Sequence, residues 1–215
     1  MIKGTPELIA DRREAIINAC ERLYETMSFR EITLKEIGNV VPFSRPTIYN
    51  YFQTKEEIFL ALFEREYDRW NRDLTAIMAE NEALTATQLA GEIARSLEKR
   101  TQLLKLLSMN NFDMEANSRP ELLTSFKTAY GQSMENVRGI LRKFRPGMGE
   151  EDIRAFIYVF FPFMFGIYPY TEVTEKQRDA MREAHVNFAY PAAYELICDC
   201  IIRLLGESRK GRGTE

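Results

Sequence analysis

The 215-residue chain is poor in the side chains that most catalytic and metal chemistries need, with one histidine, His185, and three cysteines, Cys20, Cys198 and Cys200. His185 sits in EAHVNF without a cysteine, serine or second histidine nearby, which leaves it surface or interface packing rather than a nucleophile pair or a metal site. An odd cysteine count without metal-ligand spacing argues against a disulfide framework and a zinc site. Cys198 and Cys200, two apart on a helix, point in different directions and read as buried free thiols, with redox sensing as the sharper alternative. A glycine-rich phosphate loop and a nucleophile elbow are missing too, so nothing positive supports an enzyme, a metal or a cofactor. Positive charge is not in excess: the formal net charge is −3, which excludes indiscriminate coating of nucleic acid. The start, MIKGTPELIADRRE, lacks the basic-then-apolar pattern of an export signal, so the expected location is cytoplasmic. The most apolar piece, FIYVFFPFMFGIYPY at 156–170, falls short of the roughly 20 residues of a membrane span and is interrupted by Pro162 and Gly166. No segment alternates as a strand would.

What is present is helical patterning, in a chain 45% hydrophobic and 12% aromatic that can bury a proper core. A first helix is expected from about Pro6 to Met27, with Ile16, Ala19, Cys20, Leu23 and Met27 on one stripe. Residues 33–57, TLKEIGNVVPFSRPTIYNYFQTKEE, then spell two short helices, a turn and a third helix start. Thr33 and Glu36 stand at capping-box spacing ahead of Leu34, Ile37 and Val41. Pro42 and Phe43 break the pattern, and Ser44 or Arg45 can cap a short helix carrying Pro46, Thr47, Ile48, Tyr49 and Asn50. Such a helix can lie in a major groove. Thr54 and Glu57 repeat the capping-box spacing and place Lys55 in the first turn of a long helix whose stripe is Phe59, Phe63, Tyr67, Trp70, Leu74 and Ile77.

At Thr33, Tyr49, Tyr51, Phe52, Lys55 and Glu56 the chain resembles the TetR family of bacterial transcriptional regulators, and Ile16, Ala19, Leu23, Tyr24, Phe29 and Ile37 occupy the apolar slots that family uses upstream. The resemblance covers about the first quarter of the chain. It implies an all-α protein with an N-terminal three-helix helix-turn-helix DNA-binding domain, 1–53, and a C-terminal helical ligand-binding and dimerisation domain, 54–206. The polar tail GESRKGRGTE, with 207–215 assigned to it, is expected to be disordered. Three positions depart from the family pattern, because Ser28, Pro42 and Pro46 stand where glycine is usual. Pro46 falls in a first helical turn, where a missing N–H is no loss. Ser28 implies local strain of about 1 kcal/mol or a different cap, and Pro42 forbids a left-handed turn between the short helices.

The candidate DNA contacts are Thr33, Ser44, Arg45, Pro46, Thr47, Tyr49, Asn50 and Lys55, whose hydroxyl, amide and cationic groups suit phosphate oxygens and base edges. Arg45 can donate to guanine, and Pro46 and Thr47 can meet thymine methyls. Tyr49 and Lys55 are the expected backbone anchors, while Tyr51 and Phe52 pack under the turn. Capping and surface solvation is the plainer reading of Thr33, Ser44, Arg45, Thr47, Tyr49, Asn50 and Lys55, and Thr33 and Ser44 can do both jobs. Through residue 55 the bases and acids nearly balance, so affinity has to come from a few placed contacts and from dimerisation, with a modest salt slope.

Beyond a polar break at 80–83, helices are expected over 85–107, 119–144, 150–168 and 174–206, and the resemblance implies a homodimer formed by the last two. It also implies a small-molecule effector. Candidate lining residues are Met109, Asn110, Phe112, Phe126, Tyr130, Met134, Phe161, Phe165 and Tyr168, with Asn111 and Met114 beside them, a mix suited to a hydrophobic or aromatic ligand. Taken one at a time, each reads more readily as plain core. The expected function is a homodimeric repressor released from a palindromic operator by that effector, and the alternative is a DNA-binding adaptor whose C-terminal domain holds a protein partner.

Overall fold

A computed structural model describes residues 5–109 and 111–206. The expected disordered tail at 207–215 and the effector candidate Asn110 lie outside the described residues, as does the side chain of Asn111. Every regular element among the described residues is an α-helix: α1 (Pro6–Thr26), α2 (Leu34–Val40), α3 (Arg45–Ile48), α4 (Lys55–Glu80), α5 (Ala86–Glu98), α6 (Thr101–Leu107), α7 (Asn111–Ala116), α8 (Pro120–Phe144), α9 (Glu150–Thr171), α10 (Glu175–Glu183) and α11 (Ala193–Leu204).

The chain divides into two compact units. One is Met1–Tyr67 with Asn110–Tyr130, and the other is Asp68–Met109 with Gly131–Glu215. The sequence expectation put a boundary at 53/54; the contacts keep the first half of α4 with the N-terminal helices and add a segment from much later in the chain.

The N-terminal unit is built on the stripes read from the sequence. Ile16, Ile17, Ala19, Cys20 and Tyr24 of α1 are buried, as are Ile37 of α2, Ile48 of α3, and Phe59 and Phe63 of α4. Full burial of Ile48 contributes about 1.5–3 kcal/mol and anchors a helix only four residues long, too short to persist alone. Phe59 meets Tyr24 and Phe29 edge-on at 5.1 and 4.8 Å, while Phe63 stacks on Tyr67 and leans on Phe126.

The second unit is organised by α5 against α11, with α6 and α11 both packed on α9. The Trp70 indole donates to Ser96 Oγ at 3.0 Å, and Arg100 forks onto Asp73. Arg100 also marks a correction. The helix expected over 85–107 is two helices, because the backbone leaves helical geometry at Arg100 (φ −107°, ψ 49°), where the guanidinium is held on Asp73 and the Arg69 carbonyl. The stretch between the helices expected over 85–107 and 119–144 contains α7. The helix expected over 174–206 is α10 and α11 separated by 184–192: His185 takes a left-handed conformation (φ 54°), and Pro191 disfavours helix in the residue before it.

α9 runs through Pro162 and Pro169 to Thr171. At 22 residues, opening with the acids Glu150, Glu151 and Asp152, it is long and apolar enough to cross a membrane by length and composition alone. Its buried side, Ile153, Phe156, Ile157, Phe160, Phe161, Met164 and Ile167, is that of a core helix.

Candidate nucleic-acid interface

Local rules set the frame of the reading head. Thr33 caps α2, its hydroxyl oxygen accepting from the Lys35 and Glu36 N–H groups at 3.2 and 3.4 Å while its O–H donates to the Glu36 carboxylate. α2 ends at Val41 in extended conformation (φ −79°, ψ 150°), the state that a following proline favours. Ser44 is also extended and starts α3, with Pro46 in its first turn. The turn containing Pro42 is therefore made without a left-handed residue, since His185 is the one non-glycine at positive φ among the described residues. Ser28 resolves in the same way. Met27 turns extended, and the Ser28 N–H donates to Glu31 Oε2 at 2.7 Å, a different cap in place of strain. That hydrogen bond holds the Glu31 carboxyl below its usual range.

On this frame Arg45, Pro46, Tyr49 and Asn50 are exposed, Tyr49 by 52%. Thr47 is half-buried and its hydroxyl lies 3.0 Å from that of Ser44. Tyr51 and Phe52 are buried, and Arg13 lies 5.6 Å over the Phe52 ring. Lys55 has a structural engagement that spacing does not reveal. Its ammonium donates to the Phe29 carbonyl at 2.7 Å and the Ile32 carbonyl at 3.2 Å, 4.1 Å from the centre of the Phe29 ring. Two of its three N–H groups thus close the turn between α1 and α2.

The start of α4 also departs from its sequence signature. Thr54 Oγ1 accepts from the Glu57 N–H at 3.1 Å as a capping box requires, but Glu57 Oε2 reaches back to the Gln53 N–H at 2.7 Å. The Glu57 carboxylate, 1% exposed, also accepts from Arg119: Nε at 2.7 Å and backbone N–H at 3.2 Å on one oxygen, Nη2 at 3.0 Å on the other. Burial raises the Glu57 carboxyl, but hydrogen bonds from Arg119 and from the Gln53 and Arg119 N–H groups outweigh it and hold the group below its usual range. Arg119 was not legible as a site residue, because it lies 62 residues from its partner. Lys35 is exposed in the first turn of α2.

The effector candidates fall in both units. Phe126 and Tyr130 join Phe63 and Tyr67 in the aromatic cluster of the first, where Phe112 is 85% exposed and Met114 is buried. In the second, Phe161 is buried beside Trp70, Phe165 is exposed, and Met109, Met134 and Tyr168 are half-buried. None of them lines the cavity of about 600 Å³ bounded by Tyr170, Met181, Phe188 and Tyr190. Burial pushes the Cys20 thiol far up and the Cys200 thiol up to about 11, which disfavours the reactive thiolate. Among the described residues no cluster of histidine, cysteine or carboxylate side chains could hold a metal ion.

The model of bacterial regulatory proteins of the tetR family matches residues 16–62, and that of the tetracyclin repressor-like C-terminal domain matches residues 64–191. HTH-type transcriptional regulator EthR of Mycolicibacterium smegmatis is 41% identical over 54 residues, 25% of this chain and 25% of that protein. The chain thus matches about a quarter of the length of that curated relative. The fatty acid degradation regulator FadR of Bacillus halodurans superposes with a TM-score of 0.60 over 96% of this chain and 98% of that one, at 15% identity. FadR of Thermus thermophilus, a repressor solved in complex with lauroyl-CoA, gives 0.57 over 95% and 100%, at 19% identity. At these identities the structural likeness concerns the fold.

Proposed function

The chain belongs to the tetR family of bacterial regulatory proteins, which are DNA-binding transcriptional regulators and not enzymes, and from that premise we propose that it acts as a homodimeric repressor of a palindromic operator. The observation that carries the reading is α3, pinned by fully buried Ile48 while Arg45, Pro46, Tyr49 and Asn50 stay exposed. Arg45, Pro46 and Thr47 read base edges, and Thr33, Ser44, Tyr49, Asn50 and the remaining N–H of Lys55 meet the backbone. Two copies read half-sites about 34–36 Å apart, joined through α9 and the chain beyond it, where Tyr158, Val159 and Phe165 leave apolar surface exposed.

A small hydrophobic effector favours a dimer whose heads are wrongly spaced for the operator. A coupling of about 1–3 kcal/mol changes occupancy severalfold or more. The reading places the protein in the cytoplasm. Fluorescence anisotropy with DNA flanking its own gene, at several salt concentrations and with a panel of lipophilic ligands, tests binding and release together. Specific binding at two protomers per duplex, lost on adding one of the ligands, is the expected result. Binding that no ligand alters, with a second protein co-purifying, replaces the effector with a protein partner. Absence of specific binding removes the reading.

A further inference from the structure

We propose that Arg119 is a positioning residue for DNA binding, a role that rests on the reading-head assignment of residues 44–50. Three residues that follow α3 closely are bonded to residues 117–119. Arg119 Nη2 donates to the Tyr51 carbonyl at 2.8 Å while the same guanidinium forks onto Glu57, and Thr54 Oγ1 donates to the Asn117 carbonyl at 3.0 Å. Tyr51 directly follows the exposed Tyr49 and Asn50, so the group that fixes its carbonyl fixes the exit of the recognition helix.

The chemistry calls for arginine. One planar fork serves a backbone carbonyl and both oxygens of a carboxylate at once, which the point charge of a lysine cannot do. Glu57 is 1% exposed, so removing the fork leaves its buried carboxylate with only backbone N–H partners, which loosens the Tyr51–Gln53 turn that it and Arg119 hold. Residues 117–119 thereby control DNA reading without touching DNA, and a shift in that segment is read out as a change in the set of α3.

The test uses the full chain, a duplex selected from a random library by the wild-type protein, and an unrelated duplex of equal length. Arg119→Met is expected to lower affinity for the selected duplex by on the order of tenfold and for the unrelated one by less than about threefold, because misplaced base contacts cost specificity more than charge. Amide exchange over residues 49–57 should quicken by on the order of tenfold while α5 and α11 keep their protection, and Arg119→Lys should fall between the two. Equal loss on both duplexes with unchanged exchange overturns the proposal, as does wild-type discrimination in Arg119→Met. If Arg119→Met does not fold, Arg119→Lys decides, and wild-type discrimination there overturns it. If the wild-type protein selects no duplex, the reading-head assignment fails, and unchanged exchange over 49–57 in the variants then refutes the positioning role separately.

Discussion

Replacing Lys55 with methionine keeps an unbranched apolar stem and removes only the ammonium, so it isolates what that charge does. The structure assigns it two charge-assisted hydrogen bonds, a short one to Phe29 O at 2.7 Å and a longer one to Ile32 O at 3.2 Å, and a contact with the Phe29 ring at 4.1 Å. Hydrogen bonds to charged groups contribute about 1.5–3 kcal/mol when sheltered, but Lys55 is half-buried and water can partly replace it at both carbonyls. About 1 kcal/mol for the short bond, about half that for the long one, and about 0.5 kcal/mol for the ring contact are reasonable, a loss near 2 kcal/mol. For a chain of this length that lowers the melting temperature by about 4–8 °C. Circular dichroism melts of wild type and Lys55→Met measure this directly. A shift below about 2 °C refutes the idea that the ammonium staples the turn between α1 and α2. DNA binding separates the second role: if the third N–H meets a phosphate in each protomer, the log–log salt slope falls by about 1.8 in the proposed dimer. A stability loss with an unchanged slope leaves Lys55 a staple and removes it from the DNA contacts.

Tyr51 is 8% exposed and its hydroxyl has no hydrogen-bond partner among the described residues, so Tyr51→Phe should be neutral or stabilising by up to about 1 kcal/mol in urea unfolding. A loss of more than that would show the hydroxyl is satisfied. Gly38 lies inside α2, where an added Cβ would meet Arg45 and Ile48 atoms at 3.7 Å, ordinary contact; Gly38→Ala should therefore stabilise by about 0.5–1 kcal/mol through helix propensity, and destabilisation would mean the packing is tighter than described. Glu57 gives a pH dependence of known sign. Its folded pKa is depressed, so its contribution is fully present above the unfolded value of about 4.3 and is lost as pH falls through the lower folded value. Acid unfolding of wild type should therefore be steeper than that of Glu57→Gln in this window, and parallel curves would contradict the assignment.

How much could be read beforehand depended on how local the physics was. The cap at Thr33, the ends of α1, and the exposure of Arg45, Pro46, Tyr49 and Asn50 follow from side chains within four residues of one another, whereas Ser44 precedes α3 without a side-chain capping bond. The same locality misleads at 174–206, where apolar spacing reads as one helix although Pro191 lies within it, and at 85–107, where a long-range bond from Arg100 to Asp73 accompanies the break. Capping-box spacing at Thr54 and Glu57 was half informative. The threonine caps as expected, but the carboxylate turns to Gln53 and to Arg119.

By itself the sequence determined an all-helical chain with a helix-turn-helix near its start, because hydrophobic period, caps and proline positions act over a few residues and leave their mark in order. Only the tertiary structure decided what holds that reading head in place. Residues 110–130 share its unit, Arg119 and Glu57 meet across 62 positions, and Lys55 closes a turn 23 and 26 residues away. Such pairings carry no period or spacing, since they exist only once apolar burial has brought distant segments together and left a carboxylate that must find its cation.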